Sequence, residues 1–381
     1  MTSTNKSHIV WVMANNSSAP YVTWFAERAS KDPTIQVSFV CLFPESPKMI
    51  QDVGQYGWKC HWLKFDHTKR KRGFIKLIPQ LFFLFRKIKP TIVHTHLFDD
   101  ALPTLLAARL SNVKIRINTK ADTSYHYFYH RKWFAFDLFN NFNSTHLVAI
   151  SDESKKFILE VEKVKPSKVT RIHHGVPVES LTNQSETIKN RLISKYNLKD
   201  KIIIGTVARF IEWKGYRFII EAAETIVKTY PHVLFLFVGQ GEQENEVREL
   251  IRNKNLQNNI ILTGWVDRDD IPSLYGIMDI YIHAASREPF GFVIAEAMVN
   301  GVPMVTTKTG AALDAIQHLK NGYLVDEKKS NEIADGVFYL LKSNRKEIGQ
   351  AAKKTALEMY TFEVMYTNHI NLYNKLLRKE N

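Results

Sequence analysis

The chain has 381 residues, 45% of them hydrophobic, and 52 Lys+Arg against 38 Asp+Glu give a formal net charge of +14. That length suits two α/β domains of about 150–200 residues each, and the composition excludes a disordered, collagenous or repeat protein. Two cysteines, Cys41 and Cys60, in so long a chain read as reduced thiols of a cytoplasmic protein rather than as a disulfide framework.

The opening MTSTNKSHIVWVMA is polar and then strand-like, with an apolar run too short for a signal core. HIVWVMA (8–14) reads as a strand, YVTWFAERASK (21–31) as a helix and VSFVCLF (37–43) as a second strand. Residues 73–88 read as a helix carrying Pro79, with LFFLF as the longest apolar run. A membrane span needs about 20 mostly apolar residues, so this segment is not expected to cross a bilayer. TIVHTHL (91–97) is a strand, DALPTLLAARL (100–110) a helix and KIRINTK (114–120) a strand. A Trp/Phe-rich helix (132–142) and the strand THLVAIS (145–151) follow, with Ser151 placed to cap the next helix. VTRIHHGVP (169–177) reads as a last strand and turn, and the polar ESLTNQSET (179–187) as an interdomain linker, with the boundary near 178–185.

The second half repeats the scheme. KIIIGTVARF (201–210), VLFLFVG (233–239), NIILTGWV (259–266), DIYIHAA (279–285), VPMVTT (302–307) and GYLVD (322–326) read as strands. Helices are expected over 215–231, 242–254, 270–277, 290–300, 330–342, 345–359 and 362–379. Continuous apolar strands alternating with helices mean parallel sheets buried on both faces. Such folds bind ligands beyond the carboxyl ends of their strands, here expected to be a cleft between two domains.

Three segments carry candidate chemistry. In EPFGFVIAEAMVNGVPMVTT (288–307), Glu288 lies in a loop after a buried strand and Glu296 follows eight positions later, about two helical turns away. The two carboxylates can thus address different parts of one elongated ligand. Phe290, Gly291 and Phe292 open the helix between them, and its free amides and dipole suit an anion. Acidic residues in the first turns of an ordinary helix would give part of this pattern; two glutamates around PFG, followed by a tight turn and a strand, are more specific. In GTVARFIEWKGYRFIIEAA (205–223), Arg209 ends a strand and Lys214 precedes a helix. A guanidinium grips phosphate oxygens in pairs and an ammonium acts as a point charge, so the two suit a diphosphate, although any such pair alone reads equally as solvated loop charges. FVGQGEQE (237–244) places Gly239 in a turn after a buried strand, a weak signal by itself.

Together these segments resemble the retaining glycosyltransferases of family 4, which share the GT-B fold of two doubly wound Rossmann-like domains facing a central cleft. The match is firm over roughly 200–330 and diffuse elsewhere. The resemblance implies that residues 1–180 form an acceptor-side domain and 181–361 a donor-binding domain, with the helix 362–379 packing back on the first. It implies that Glu288 contacts the transferred sugar and Glu296 the ribose of a nucleotide-diphosphate-sugar donor. Arg209 and Lys214 would clasp the diphosphate, with Gly239, Val266 and Gly310 also at the donor. No metal and no other cofactor is expected, because the cations take a metal's place.

The sequence departs from the family pattern in four places. ANNSSAPY (14–21) replaces a glycine-rich loop, NTKADTSYH (118–126) lacks the usual histidine after the fifth strand, HHGV has His174 where asparagine is usual, and TGAAL (309–313) has only Gly310 where a pair is usual. His96, Lys120 and His126 are the candidates for the acceptor side. His94 and His96 share a strand face, but no Cys/His cluster completes a zinc site.

The charge is uneven: residues 1–180 hold 26 Lys+Arg and 14 Asp+Glu, residues 181–381 hold 26 and 24. With the segment KRKRGFIKLIPQLFFLFRKIK (69–89), this suggests contact with an anionic membrane surface through 69–90, on the inner face of the cell membrane. The alternative is that Leu81, Phe82 and Phe85 pack on the sheet. A glycan or lipid-linked acceptor, in cell-surface polysaccharide or lipopolysaccharide synthesis, fits the first reading. The rival functions are a nucleotide-sugar 2-epimerase of the same fold and a non-catalytic basic scaffold. No nucleic-acid motif appears, and no G-x-G-x-x-G follows the first strand as an NAD enzyme would need.

Overall fold

A computed structural model describes residues 7–121 and 125–380. The chain forms two units, one comprising residues up to His173 and from Met365 onward, the other His174–Val364.

The first unit holds a seven-stranded parallel sheet: β1 (Ser7–Ala14), β2 (Ile35–Phe43), β3 (Lys59–Lys64), β4 (Ile92–Thr95), β5 (Ile115–Lys120), β6 (His146–Ala149) and β7 (Val169–Arg171), ordered β3-β2-β1-β4-β5-β6-β7. Its helices are α1 (Pro20–Ser30), α2 (Met49–Gly54), α3 (Arg70–Ile88), α4 (Phe98–Leu110), α5 (Tyr125–Tyr129), α6 (Arg131–Asn143) and α7 (Asp152–Glu160). The apolar runs of β1 and β4 are fully buried, as strands covered on both faces must be. Pro20 opens α1, where a missing N–H costs no helical bond. Pro79 sits inside α3 on its solvent side, so the carbonyl it leaves without a donor meets water. Leu77, Leu81 and Phe85 of α3 pack into the core against Val10, Val40 and Val93. Ser151 caps α7 as its position suggested, accepting from the Ser154 amide at 3.1 Å.

The second unit holds six parallel strands, β8 (Ile202–Val207), β9 (Val233–Val238), β10 (Ile260–Gly264), β11 (Ile280–His283), β12 (Met304–Thr307) and β13 (Tyr323–Val325), ordered β10-β9-β8-β11-β12-β13. Its helices are α8 (Val178–Thr182), α9 (Glu186–Lys195), α10 (Tyr216–Thr229), α11 (Glu244–Asn253), α12 (Ile271–Tyr275), α13 (Phe292–Val299), α14 (Gly310–Ala315), α15 (Ser330–Lys342) and α16 (Arg345–Met359). Ile219 and Ile226 of α10 and Ile333 and Val337 of α15 close the core over Phe235, Ile280 and Val305. The chain winds outward from β8 in one direction and from β11 in the other. The carboxyl ends of these two adjacent strands are therefore the switch point where such sheets hold ligands.

The last helix, α17 (Phe362–Glu380), belongs to the first unit from Met365 onward. Tyr373 accepts from Trp11 Nε1 at 3.0 Å and lies 2.7 Å from His94 Nδ1; Tyr366 donates to Asp32 at 3.0 Å. These bonds tie the end of the chain to its first strands.

The structure corrects the sequence reading in places. The segment 179–187, read as a linker, is mostly helical. It comprises α8 and the start of α9, and Ser185 caps α9 by accepting from the Ile188 amide. Its polar residues masked the helix because only Leu192 of α9 is buried. The division between units falls at His173, ahead of that segment. Val176 is tied to the second unit by exchanging backbone bonds with Tyr360 and Phe362. The elements α2, β3, α5 and α14 were not legible. Edge strand β3 exposes Lys59, Trp62 and Lys64, as edges that resist further pairing do.

Candidate functional site

From β8 the chain passes Arg209, makes a 3-10 turn over Glu212–Lys214 and enters α10. From the neighbouring β11 it ends on His283 and loops through Glu288 into α13. These two connections bring Lys214, Glu288 and His283 together. The Lys214 ammonium donates to Glu288 Oε2, and His283 Nε2 stands 3.4 Å from the same oxygen. The side chains are 16%, 13% and 1% exposed respectively. Burial alone pushes the Glu288 carboxyl up, but the neighbouring His283 imidazole and Lys214 ammonium outweigh it and hold it at about 2. Burial lowers the pKa of His283, whose Nε2 makes no hydrogen bond and stands close to the carboxylate. The result is a buried carboxylate that accepts from Lys214 and has the His283 ring beside it at the switch point.

Around it the backbone approaches closely. Gly291 caps α13 with φ +89°, and a Cβ there would lie 2.9 Å from Glu288 Cγ. Gly310 opens α14, where a Cβ would lie 2.2 Å from the Glu288 carbonyl oxygen. The next amide, of Ala311, donates to the Phe290 carbonyl at 2.8 Å. Phe290 is buried and meets His174 edge-on, and Phe292 stacks on the same ring at 5.2 Å. Glu296 is held apart from Glu288, accepting from Tyr275 Oη at 3.0 Å. Burial raises its pKa, with the Tyr275 hydrogen bond and Arg268 only partly offsetting it.

The remaining candidates of this unit lie at the carboxyl ends of neighbouring strands. Gly239 follows β9 and donates to the Gly264 carbonyl at 3.1 Å; Val266 lies half-buried two residues beyond Gly264, next to exposed Trp265. Arg209 is 69% exposed and pairs with Glu242 at 3.2 Å, while Lys214 pairs with Glu288. His283 and Tyr275 were missed by sequence reasoning. For His283 a signal existed, a lone histidine ending the otherwise apolar strand IYIH. Tyr275 gave none.

In the first unit, Lys120 ends β5 and His126 lies on α5. Both line a cavity of 220 Å3 with Asn15, Arg70, Asp99 and Asp137. Lys120 Nζ is 3.0 Å from Glu162 and 3.7 Å from Asp137, and His126 Nδ1 is 2.8 Å from Asp137. Burial pulls the Lys120 ammonium down, but the two carboxylates outweigh it and leave it above its usual pKa. His96 lies elsewhere, buried against Trp11 and His94 with ring centroids 4.3 Å away from each. His94 is wholly buried between Tyr373 and Thr119, a structural position. The stretch 118–126 is described except for residues 122–124, which lie outside the described residues. Among the described residues no group of three or more His, Cys, Asp or Glu could hold a metal ion.

Two doubly wound parallel-sheet domains, with a lysine–carboxylate pair at the switch point of the second, are the architecture of the GT-B class. A model described as Glycosyltransferase Family 4 matches residues 22–180, and one described as Glycosyl transferases group 1 matches residues 188–355. The chain belongs to glycosyltransferase family 4. It is 28% identical to the capsular polysaccharide biosynthesis glycosyltransferase CapM of Staphylococcus aureus, over 80% of this chain and 82% of that protein. Spore coat protein SA of Bacillus subtilis is 26% identical over 60% of this chain, and the match spans 64% of that relative. Among solved structures, Anabaena Alr3699/HepE in complex with UDP superposes with a TM-score of 0.82 at 17% identity, over 97% of this chain and 100% of that one.

Proposed function

We propose that this glycosyltransferase takes its sugar from a nucleotide-diphosphate donor. It transfers that sugar, with retention of configuration, to a glycan or lipid-linked acceptor in cell-surface polysaccharide or lipopolysaccharide synthesis. The observation that carries the reading is the Lys214–Glu288–His283 cluster at the carboxyl ends of β8 and β11. The kinship with CapM supports the cell-surface assignment.

In this reading the bond from the sugar's anomeric carbon to the diphosphate breaks, and negative charge grows on the leaving phosphate. Lys214, Arg209 and the amides following Gly291 stabilise that charge without a metal ion, each such preorganised donor contributing roughly a hundred- to thousandfold in rate. Glu288, kept ionised by its neighbours, accepts from sugar hydroxyls and orients the ring. Glu296 accepts from the ribose hydroxyls, with Gly239, Val266 and Gly310 shaping the same donor site. The acceptor hydroxyl attacks from the leaving-group face, a bond from its oxygen to the anomeric carbon forms, and its proton passes to the diphosphate. Lys120, His126 and His96 are assigned to the acceptor side.

The test is thermal-shift binding against a panel of nucleotide sugars, followed by NMR of the product's anomeric configuration. One donor should stabilise the protein, and Lys214→Ala should abolish the shift. Stabilisation by no donor, or an inverted product, overturns the proposal.

A further inference from the structure

Helix α6, RKWFAFDLFNNFN, is built inside out. Its buried residues are Asp137, Asn140, Asn141 and Asn143, while Phe136, Leu138, Phe139 and Phe142 are exposed, Phe142 by 67%. A helix on the surface of a domain ordinarily does the reverse. The inner polar positions are in use: Asp137 bonds His126 at 2.8 Å, Asn141 donates to Glu162 at 2.7 Å, and Asn143 accepts from Arg109 at 3.2 Å. The helix cannot roll its aromatics inward without stranding these groups, so the outward face is fixed.

That face continues onto its neighbours. Phe128 and Tyr129 of α5 and Leu110 at the end of α4 are exposed as well. Arg109 lies over the Phe142 ring at 4.6 Å, and Arg70 of α3 over Trp133 at 5.9 Å. On α3, Leu77, Leu81 and Phe85 turn into the core, leaving Ile75 and Phe83 outward among Lys71, Arg72 and Lys76. The apolar part of the surface is therefore supplied mainly by α6, and the charge by α3. Among the described residues from Lys69 to Ser151, the acidic side chains are Asp99, Asp100 and Asp137, and all three are buried. Among the described residues of this stretch the exposed charge is thus of one sign.

We propose that this face docks the protein on an anionic lipid surface. Phe136, Phe139 and Phe142 enter the boundary between headgroups and acyl chains, while Arg131, Lys132 and the α3 cations meet the headgroups. Phe and Leu side chains carry no polar edge to read a base, and a second copy would set this cationic face against itself. The inference does not depend on the donor chemistry proposed above.

The test is flotation of the full chain with phosphatidylcholine vesicles, with and without phosphatidylglycerol. Binding is expected to the anionic vesicles at low salt, falling steeply at high salt and in the absence of phosphatidylglycerol. The triple variant Phe136→Ser, Phe139→Ser, Phe142→Ser should bind about tenfold more weakly or worse, with the melting temperature retained because the replaced rings are exposed. The charge variant Arg131→Glu, Lys132→Glu should also weaken low-salt binding, and it decides the matter if the triple variant misfolds. Failure of the wild type to bind anionic vesicles at low salt overturns the proposal. So does unchanged binding by the triple variant, or a triple variant that loses self-association or DNA binding while keeping the vesicles.

Discussion

Each unit buries a lysine among a histidine and carboxylates at the carboxyl end of a parallel sheet, and the two clusters are balanced differently. In the first unit one ammonium, Lys120, faces two carboxylates, Glu162 and Asp137, and Asp137 also engages His126. In the second unit one carboxylate, Glu288, accepts from Lys214 and has His283 Nε2 3.4 Å away. The first cluster is rich in acceptors; the second pairs one ammonium with one carboxylate. Lys120 is locked by its partners on a strand end, whereas Lys214 sits on a turn ahead of a helix. The same residue types are thus combined with carboxylates in excess in the first unit and with cation and carboxylate matched in the second.

Breaking the matched cluster should have the largest effect. Lys214→Ala is expected to lower turnover by roughly a hundred- to thousandfold, the scale for one preorganised donor, and steady-state kinetics on the identified donor would show it. A change confined to acceptor KM would mean that Lys214 does not act on the donor.

Breaking the acceptor-rich cluster should appear in stability. Lys120→Met leaves Glu162 and Asp137 buried without their cation and is expected to cost about 3–5 kcal/mol by urea unfolding. Adding Glu162→Gln should recover part of that loss, and a double variant no more stable than the single one would refute the pairing.

The pH dependence distinguishes the clusters further. Glu288 is held at about 2 against a usual 4.5, so its contribution is complete above pH 4.5 and is lost as pH falls toward 2. That shift corresponds to about 3 kcal/mol, and Glu288→Gln should flatten the acid limb of the stability profile by that order. Glu296 has the opposite sign. Its raised pKa costs stability at neutral pH and recovers it as pH falls through the folded value.

The smallest expected effect is at Tyr275. Tyr275→Phe removes one hydrogen bond to Glu296 and should raise that carboxyl further. Donor affinity should weaken by about 1 kcal/mol, measured as a change in Kd by calorimetry. An unchanged Kd would place Glu296 away from the ligand.

Much of the second unit's candidate site was legible because its parts lie close together in sequence. Glu288, Gly291 and Glu296 fall within one loop and one helix, so local spacing already placed them on a strand end and a helix start. Arg209 and Lys214 were legible as cations after a strand, but not their partners. Arg209 reaches Glu242 and Lys214 reaches Glu288, choices made by packing between separate βα connections. His283 looked like one more strand residue until β11 paired with β8. The helices over 178–195 were hidden because their buried faces are small, and Glu162 was hidden because nothing near it in sequence points to Lys120.

The sequence by itself determined the alternation of buried strands and helices, the two doubly wound sheets and the acidic motif after β11. Each of these rests on periodicity or spacing within a few tens of residues. Tertiary structure alone decided which charges meet: that Lys214 reaches Glu288 beside His283, that Lys120 is enclosed by Glu162 and Asp137, and that α6 turns its asparagines inward and its phenylalanines out. Those outcomes depend on contacts between segments distant in the chain. The low-polarity interior makes an unpaired charge or amide costly, so the polar pairs set the orientation of the helices that carry them.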